Sequence, residues 1–158
     1  MYQVERILCP TDFSEGSLEA LSAATDIATK LGAELSVIHV LPLLSPLPTD
    51  PNLVFEAHQR QEVLYEDMKR RLHELTRESK EKGIEGRVFL GHGDAAGEIV
   101  RVAEEQSIDL IVIATFGKTG WRRLAFGSVT EKVTRLAPCP VLVVRGIKDR
   151  IPAEENVA

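Results

Sequence analysis

The feature that most constrains this chain is an alternation. Short apolar runs take turns with longer segments whose apolar residues recur every three or four positions. Val4 to Cys9, with Ile7 and Leu8 at its centre, reads as a buried strand ended by Pro10. Ser14 then suits the N-cap of a helix whose stripe is Leu18, Leu21, Ala24, Ala28 and Leu31, and Gly32 stands where a terminating glycine belongs. Leu35 to Leu41 is a second strand, rich enough in Val and Ile to be buried on both faces. A long helix is expected from about Val54 to Lys82, striped by Leu64, Met68, Leu72 and Leu75 and ended by Gly83. Arg87 to Leu90 is a third strand. Gly91-His92-Gly93-Asp94 is a turn, with Asp94 capping a helix that carries Ile99, Val102 and Ala103. Asp109 to Ala114 and Val141 to Val144 are the last strands. Between them runs a helix with Val129, Val133 and Leu136 as its buried stripe.

Strand and helix in strict turn imply an α/β fold: a parallel sheet, right-handed crossovers and helices on both faces. At 158 residues one domain is expected, over 1–146, followed by a loose tail over 147–158. A chain of this size buries about 70% of its unfolded surface, so it needs no metal or disulfide staple. Pro42 to Pro51 holds four prolines and reads as an irregular flap or partner surface. There is no internal repeat.

The bulk numbers exclude some classes. The formal net charge of −5 argues against a general nucleic-acid partner. No run approaches the roughly 18 apolar residues of a membrane span. Glu5 and Arg6 interrupt any leader-like segment. A cytoplasmic protein is the simplest expectation. Cys9 and Cys139 belong to no Cys/His cluster and read as small buried hydrophobes.

Ligands of open α/β sheets bind outside the carboxyl ends of the strands, where strand order reverses. Two stretches suit such a place. The first is Pro10-Thr11-Asp12, after the first strand. The Asp12 carboxylate can accept hydrogen bonds from ribose hydroxyls or a base amine, or it can stabilise the turn; with Ser14 capping the helix, Asp12 is expected to be left for a ligand. The second runs from Ala114 to Gly120 and resumes at Gly127-Ser128-Val129-Thr130. Gly117 lets backbone approach a ligand. The helix start at Gly127 and Ser128 offers unpaired N–H groups to an anion, the hydroxyls of Ser128 and Thr130 add donors, and Lys118, Arg122 and Arg123 add charge. The plainer alternative is a glycine turn with Ser128 as an ordinary N-cap. Gly117-Lys118-Thr119 mimics the end of a P-loop, but the first glycine of that motif would fall on Val112, inside a strand. His39, His58, His73 and His92 read as packed or solvated, and no activated nucleophile or clear base is visible, so at most weak hydrolysis is expected.

With these residues assembled, the chain resembles the universal stress protein family over Gln3 to Arg145. Ile7 to Ser14, Gly127 to Val133 and Ala137 to Val144 carry the likeness. The nucleotide signature of that family is G-x2-G-x9-G-[ST]. Gly117 is its second glycine; nine residues, Lys118 to Phe126, separate it from Gly127, and Ser128 follows. The first glycine is replaced by Ala114, and Phe116 stands where histidine is frequent. The resemblance implies a Rossmann-like five-stranded sheet of order 3-2-1-4-5 and an ATP site, with Mg²⁺ or another divalent ion as companion. In that site Asp12 would meet the ribose or adenine, Pro10 and Thr11 would line the site, and Val40 would offer backbone contacts to the base. Ala114 and Gly117 would pass close to ribose and phosphate, and Gly127, Ser128, Val129 and Thr130 would hold the phosphates. It further implies a homodimer joined through Val141 to Val144 and a stress-response role exerted through nucleotide-dependent contacts with a partner protein. A nucleotide-free dimeric interaction module and a slow ATP hydrolase are the alternatives.

Overall fold

The computed structural model describes residues 3–43, 50–115 and 127–145. Among these residues five strands and four helices alternate: β1 (Arg6–Pro10), α1 (Glu15–Leu31), β2 (Glu34–Leu41), α2 (Pro51–Glu81), β3 (Val88–His92), α3 (Ala95–Glu105), β4 (Leu110–Ala114), α4 (Ser128–Leu136) and β5 (Val141–Val144). All pairings are parallel and the sheet order is β3-β2-β1-β4-β5. β1 therefore lies between β2 and β4, and the strand order reverses there.

Successive side chains of a strand point to opposite faces, which splits the core in two. Ile7, Cys9, Val37, Val112 and Ala114 pack under α1 and α2 with Leu21, Ala24, Ala28 and Leu72. Leu8, Ile38, Ile111 and Ile113 pack under α3 and α4 with Ile99, Val102 and Val133. Burial pushes the Cys9 thiol up to about 12, so it stays protonated and inert near neutral pH.

The helix ends follow local chemistry. The Ser14 hydroxyl accepts from the Ser17 N–H, Asp94 accepts from the Gly97 N–H, and Gly32 closes α1 in the left-handed region at φ 66°. The expected loop through Pro51 is shorter than the proline count suggests. Asp50 caps α2 and Pro51 occupies its first turn, where a missing N–H costs nothing. β3 runs on through Gly91 and His92, which pair with Val40 and Leu41, so the turn begins only at Gly93.

The apolar stripes are narrower than periodicity suggests. Leu18 and Leu31 of α1, Leu64 of α2, and Val129 and Leu136 of α4 are exposed. For α2 the reason is length. At 1.5 Å per residue a 31-residue helix spans about 46 Å, against roughly 27 Å for the eight residues of β2. α2 buries Met68, Leu72, Thr76 and Ser79 and nothing before them. Among the described residues, no helix is long and apolar enough to cross a membrane.

Candidate functional site

A cleft opens at the carboxyl ends of β1, β2 and β4, at the reversal of strand order. Its cavity is about 180 Å³. A cavity of roughly 150 Å³ takes a benzene ring, so this one admits a planar heterocycle.

Its two walls differ in character because they belong to opposite faces of the sheet. Ile38, Val40 and Ile113 form an apolar wall with Ala95 and Ile99 of α3. Facing them are Thr11, Asp12, Ser17 and His39. Gly127, Ser128 and Val129 close one end at the start of α4, and Pro10, Ala114 and Thr130 complete the lining. Nine of the ten residues singled out in sequence thus surround one cavity. The tenth, Gly117, lies outside the described residues, as do Lys118, Arg122 and Arg123.

The turn after β1 is tied in several places. The Thr11 N–H donates to the Ile38 carbonyl at 2.8 Å. The Thr11 hydroxyl accepts from the Phe13 N–H at 3.1 Å and meets the Ser17 hydroxyl at 3.0 Å. Asp12 is not left aside by the capping of α1, contrary to expectation: its Oδ1 accepts from the Ser14 N–H at 3.0 Å. An Asx turn of this kind orients the carboxylate toward the cleft that it lines. His39 is packed: its Nδ1 lies 2.8 Å from the Thr11 carbonyl, which only accepts, so that nitrogen carries the proton.

α4 starts at Gly127 and Ser128 as expected, but without the plainer alternative of Ser128 as its N-cap. Gly127 occupies the N-cap, without a side-chain cap bond, and Ser128 is the first helical residue. The Gly127 N–H donates to the Thr115 carbonyl at 2.9 Å, which moors this end beside β4. The first helical bond runs from the Glu131 N–H to the Gly127 carbonyl. The N–H groups of Ser128, Val129 and Thr130 precede it and have no acceptor within the helix. The Thr130 hydroxyl, expected as a ligand donor, instead donates to the Ala114 carbonyl at 2.7 Å and is buried. Thr130 therefore has its backbone N–H to offer an anion and uses its side chain to lock α4 onto β4.

Sequence reading missed Ser17, Ile38, His39, Ala95, Ile99 and Ile113 as cleft residues. Their signal was present but ambiguous, since residues at the ends of buried strands and on the apolar stripe of α3 look like ordinary core. Among the described residues, no group of three His, Cys, Asp or Glu is arranged to hold a metal ion. Lys132 of α4 bridges to Asp94, the N-cap of α3, at 2.8 Å; with the Gly97 N–H it holds the Asp94 carboxyl below its usual range.

Comparison with known proteins adds a family. The model of the Universal stress protein family matches residues 3–145. Universal stress protein MJ0531 of Methanocaldococcus jannaschii is 38% identical over 144 residues, covering 89% of this chain and 82% of that one. The solved structure of hypothetical protein MJ0577, from the same organism, superposes with a TM-score of 0.77 at 31% identity, covering 92% of this chain and 97% of the other. A universal stress protein from Archaeoglobus fulgidus, solved in complex with dAMP, shares the fold at a TM-score of 0.59 and 24% identity, covering 90% and 98%.

Proposed function

The chain belongs to the universal stress protein family, and from that membership and its cleft we propose that it is a stress-response protein that binds an adenine nucleotide, ATP foremost. The observation that carries the reading is the meeting of the Asp12 turn, an apolar wall and the start of α4 around one cavity of ring size. The base packs on Val40, Ala95 and Ile99, as burial of an apolar ring face favours. Asp12, oriented by the Ser14 N–H, accepts from the ribose hydroxyls. The phosphates meet the N–H groups of Ser128, Val129 and Thr130 at the positive end of the α4 dipole. A divalent ion is held chiefly by the phosphate oxygens, as Mg²⁺ commonly is. The cleft residues fit such a ligand without a dedicated carboxylate cage.

Calorimetric titration of the purified protein with ATP, with and without Mg²⁺, tests this. Saturable binding with one site per chain is the expected result; no heat at millimolar ATP overturns the reading.

Ala114, the departure from the family signature, bears on affinity. It is buried, and its side chain belongs to the apolar cluster under α1. Ala114→Gly is therefore expected to cost about 1 kcal/mol of stability through backbone entropy and lost packing. ATP affinity should stay within about twofold, since the methyl is spoken for by the core. A tenfold gain in the same titration would show instead that the methyl crowds the ligand.

β5 forms one edge of the sheet, with Leu142 exposed. An apolar edge strand invites a partner, and a homodimer joined through Val141 to Val144 follows as part of the proposal. Leu142→Lys should shift the protein from dimer to monomer in light scattering. A wild-type protein that runs as a monomer at micromolar concentration overturns this part alone. Nucleotide occupancy acts, in this reading, by altering contacts with a partner protein.

A further inference from the structure

The residue between Asp12 and Ser14 is in an unusual state. Phe13 has φ 62°, in the left-handed region that side-chain-bearing residues avoid and glycine enters freely. A phenylalanine persists in such a conformation only where its surroundings over-determine it. Here the surroundings are two ring contacts. The guanidinium of Arg71, on α2, lies 4.1 Å from the centre of the Phe13 ring, in cation–π range. The imidazole of His39 lies 4.8 Å from it at 56°. His39 in turn donates to the Thr11 carbonyl, and the Phe13 N–H donates to the Thr11 hydroxyl. The backbone on either side of Asp12 is thus held from two elements, β2 and α2.

We propose that Phe13 and Arg71 are positioning residues for the nucleotide site, the Arg71–Phe13–His39 contact setting the Asp12 turn and coupling cleft occupancy to α2. The proposal rests on the reading of the cleft as a nucleotide site. Neither Phe13 nor Arg71 lines the cavity; both act through Asp12 and Thr11, which do. The buried residues of α2 are Met68, Leu72, Thr76 and Ser79, so Arg71 stands in the anchored half of the helix, where it meets the ligand turn. A ligand that tightens the turn tightens the ring contact, and linkage requires the converse.

The full chain is titrated with MgATP as wild type, Arg71→Ala, Arg71→Lys, Arg71→Met and Phe13→Gly. Arg71 is exposed, so its variants should melt near the wild type. Arg71→Ala and Arg71→Met are expected to weaken ATP about five- to tenfold, near the low end of ordinary coupling between sites, and Arg71→Lys, which keeps the cation, to restore most of it. Phe13→Gly removes backbone strain with the ring, so it should weaken ATP without a matching loss of thermal stability. Saturating MgATP should slow amide exchange over 68–76 in the wild type and not in Arg71→Ala. Wild-type affinity in Arg71→Ala, equal weakening by Lys and Met, or ATP-independent exchange in α2 overturns the proposal and leaves the nucleotide site standing. Absence of ATP binding by the wild type overturns both.

Discussion

Ser128→Asp is expected to weaken ATP binding at least a hundredfold while leaving thermal stability unchanged or slightly raised. The two effects separate because a helix start treats its own carboxylate and a ligand's phosphate as rivals for one field. Ser128 is the first residue of α4 and is exposed. A carboxylate there interacts favourably with the helix dipole, by about 0.3–1 kcal/mol. It also occupies the N–H groups that the phosphates need and repels them. Two like charges 4 Å apart cost about 4 kcal/mol at an effective dielectric of 20. Even with a third of that lost to screening, about 2.7 kcal/mol remains, which is a hundredfold in affinity. Calorimetry and a thermal melt on the same preparation check both halves. Unchanged ATP affinity would mean that the phosphates do not lie at α4, and would return the site to its apolar wall alone.

The largest stability effect is expected at Gly86. A Cβ at this position would stand 1.7 Å from the Leu35 carbonyl oxygen and 2.4 Å from its carbon, both backbone atoms. The strands have no room to part, because the Leu35 N–H donates to Glu85 at 2.7 Å and the Val37 N–H to Arg87 at 2.9 Å. Gly86→Ala must therefore break one or both of these bonds and spread β2 from the segment leading into β3. Overpacking of about 1–3 kcal/mol and about 1 kcal/mol for each lost hydrogen bond give a total near 4 kcal/mol. A domain of this size loses about 2–4 °C of Tm per kcal/mol, so the midpoint should fall by about 10 °C. Gly83→Ala is the control. That glycine has φ 77° but open space around it, and the backbone term alone should cost about 1 kcal/mol. Equal, small losses in both variants would show that the close contact at Gly86 relaxes without cost.

Gly86 also marks where sequence reading stops. It stands between a helix end and a strand and looks like any turn glycine; its contact is with Leu35, on another strand. The same holds across the site. The capping roles of Ser14, Gly32 and Asp94 are legible because each is settled within one helical turn. The cleft residues Thr11, Asp12, Gly127 and Ser128 are legible as candidates because strand ends and helix starts are local features too. What each can still offer a ligand is another matter. The Thr130 hydroxyl is spent on Ala114, sixteen residues away, and the Asp12 carboxylate serves its own turn before it serves anything else.

By itself, then, the amino-acid order determined the alternation of strands and helices, their caps, and the two stretches that carry the site. Those features rest on periodicity and on hydrogen bonds between near neighbours, which any single chain displays. Periodicity left the strand order open; the family resemblance implied 3-2-1-4-5, and the tertiary structure bears that order out and alone decided that the Asp12 turn and the start of α4 border one cavity. The tertiary structure also decided that Leu64 and Val129 face outward and that Phe13 is held under Arg71. These outcomes depend on contacts between residues far apart in sequence, and the energy of such a contact exists only once the sheet has brought its partners together.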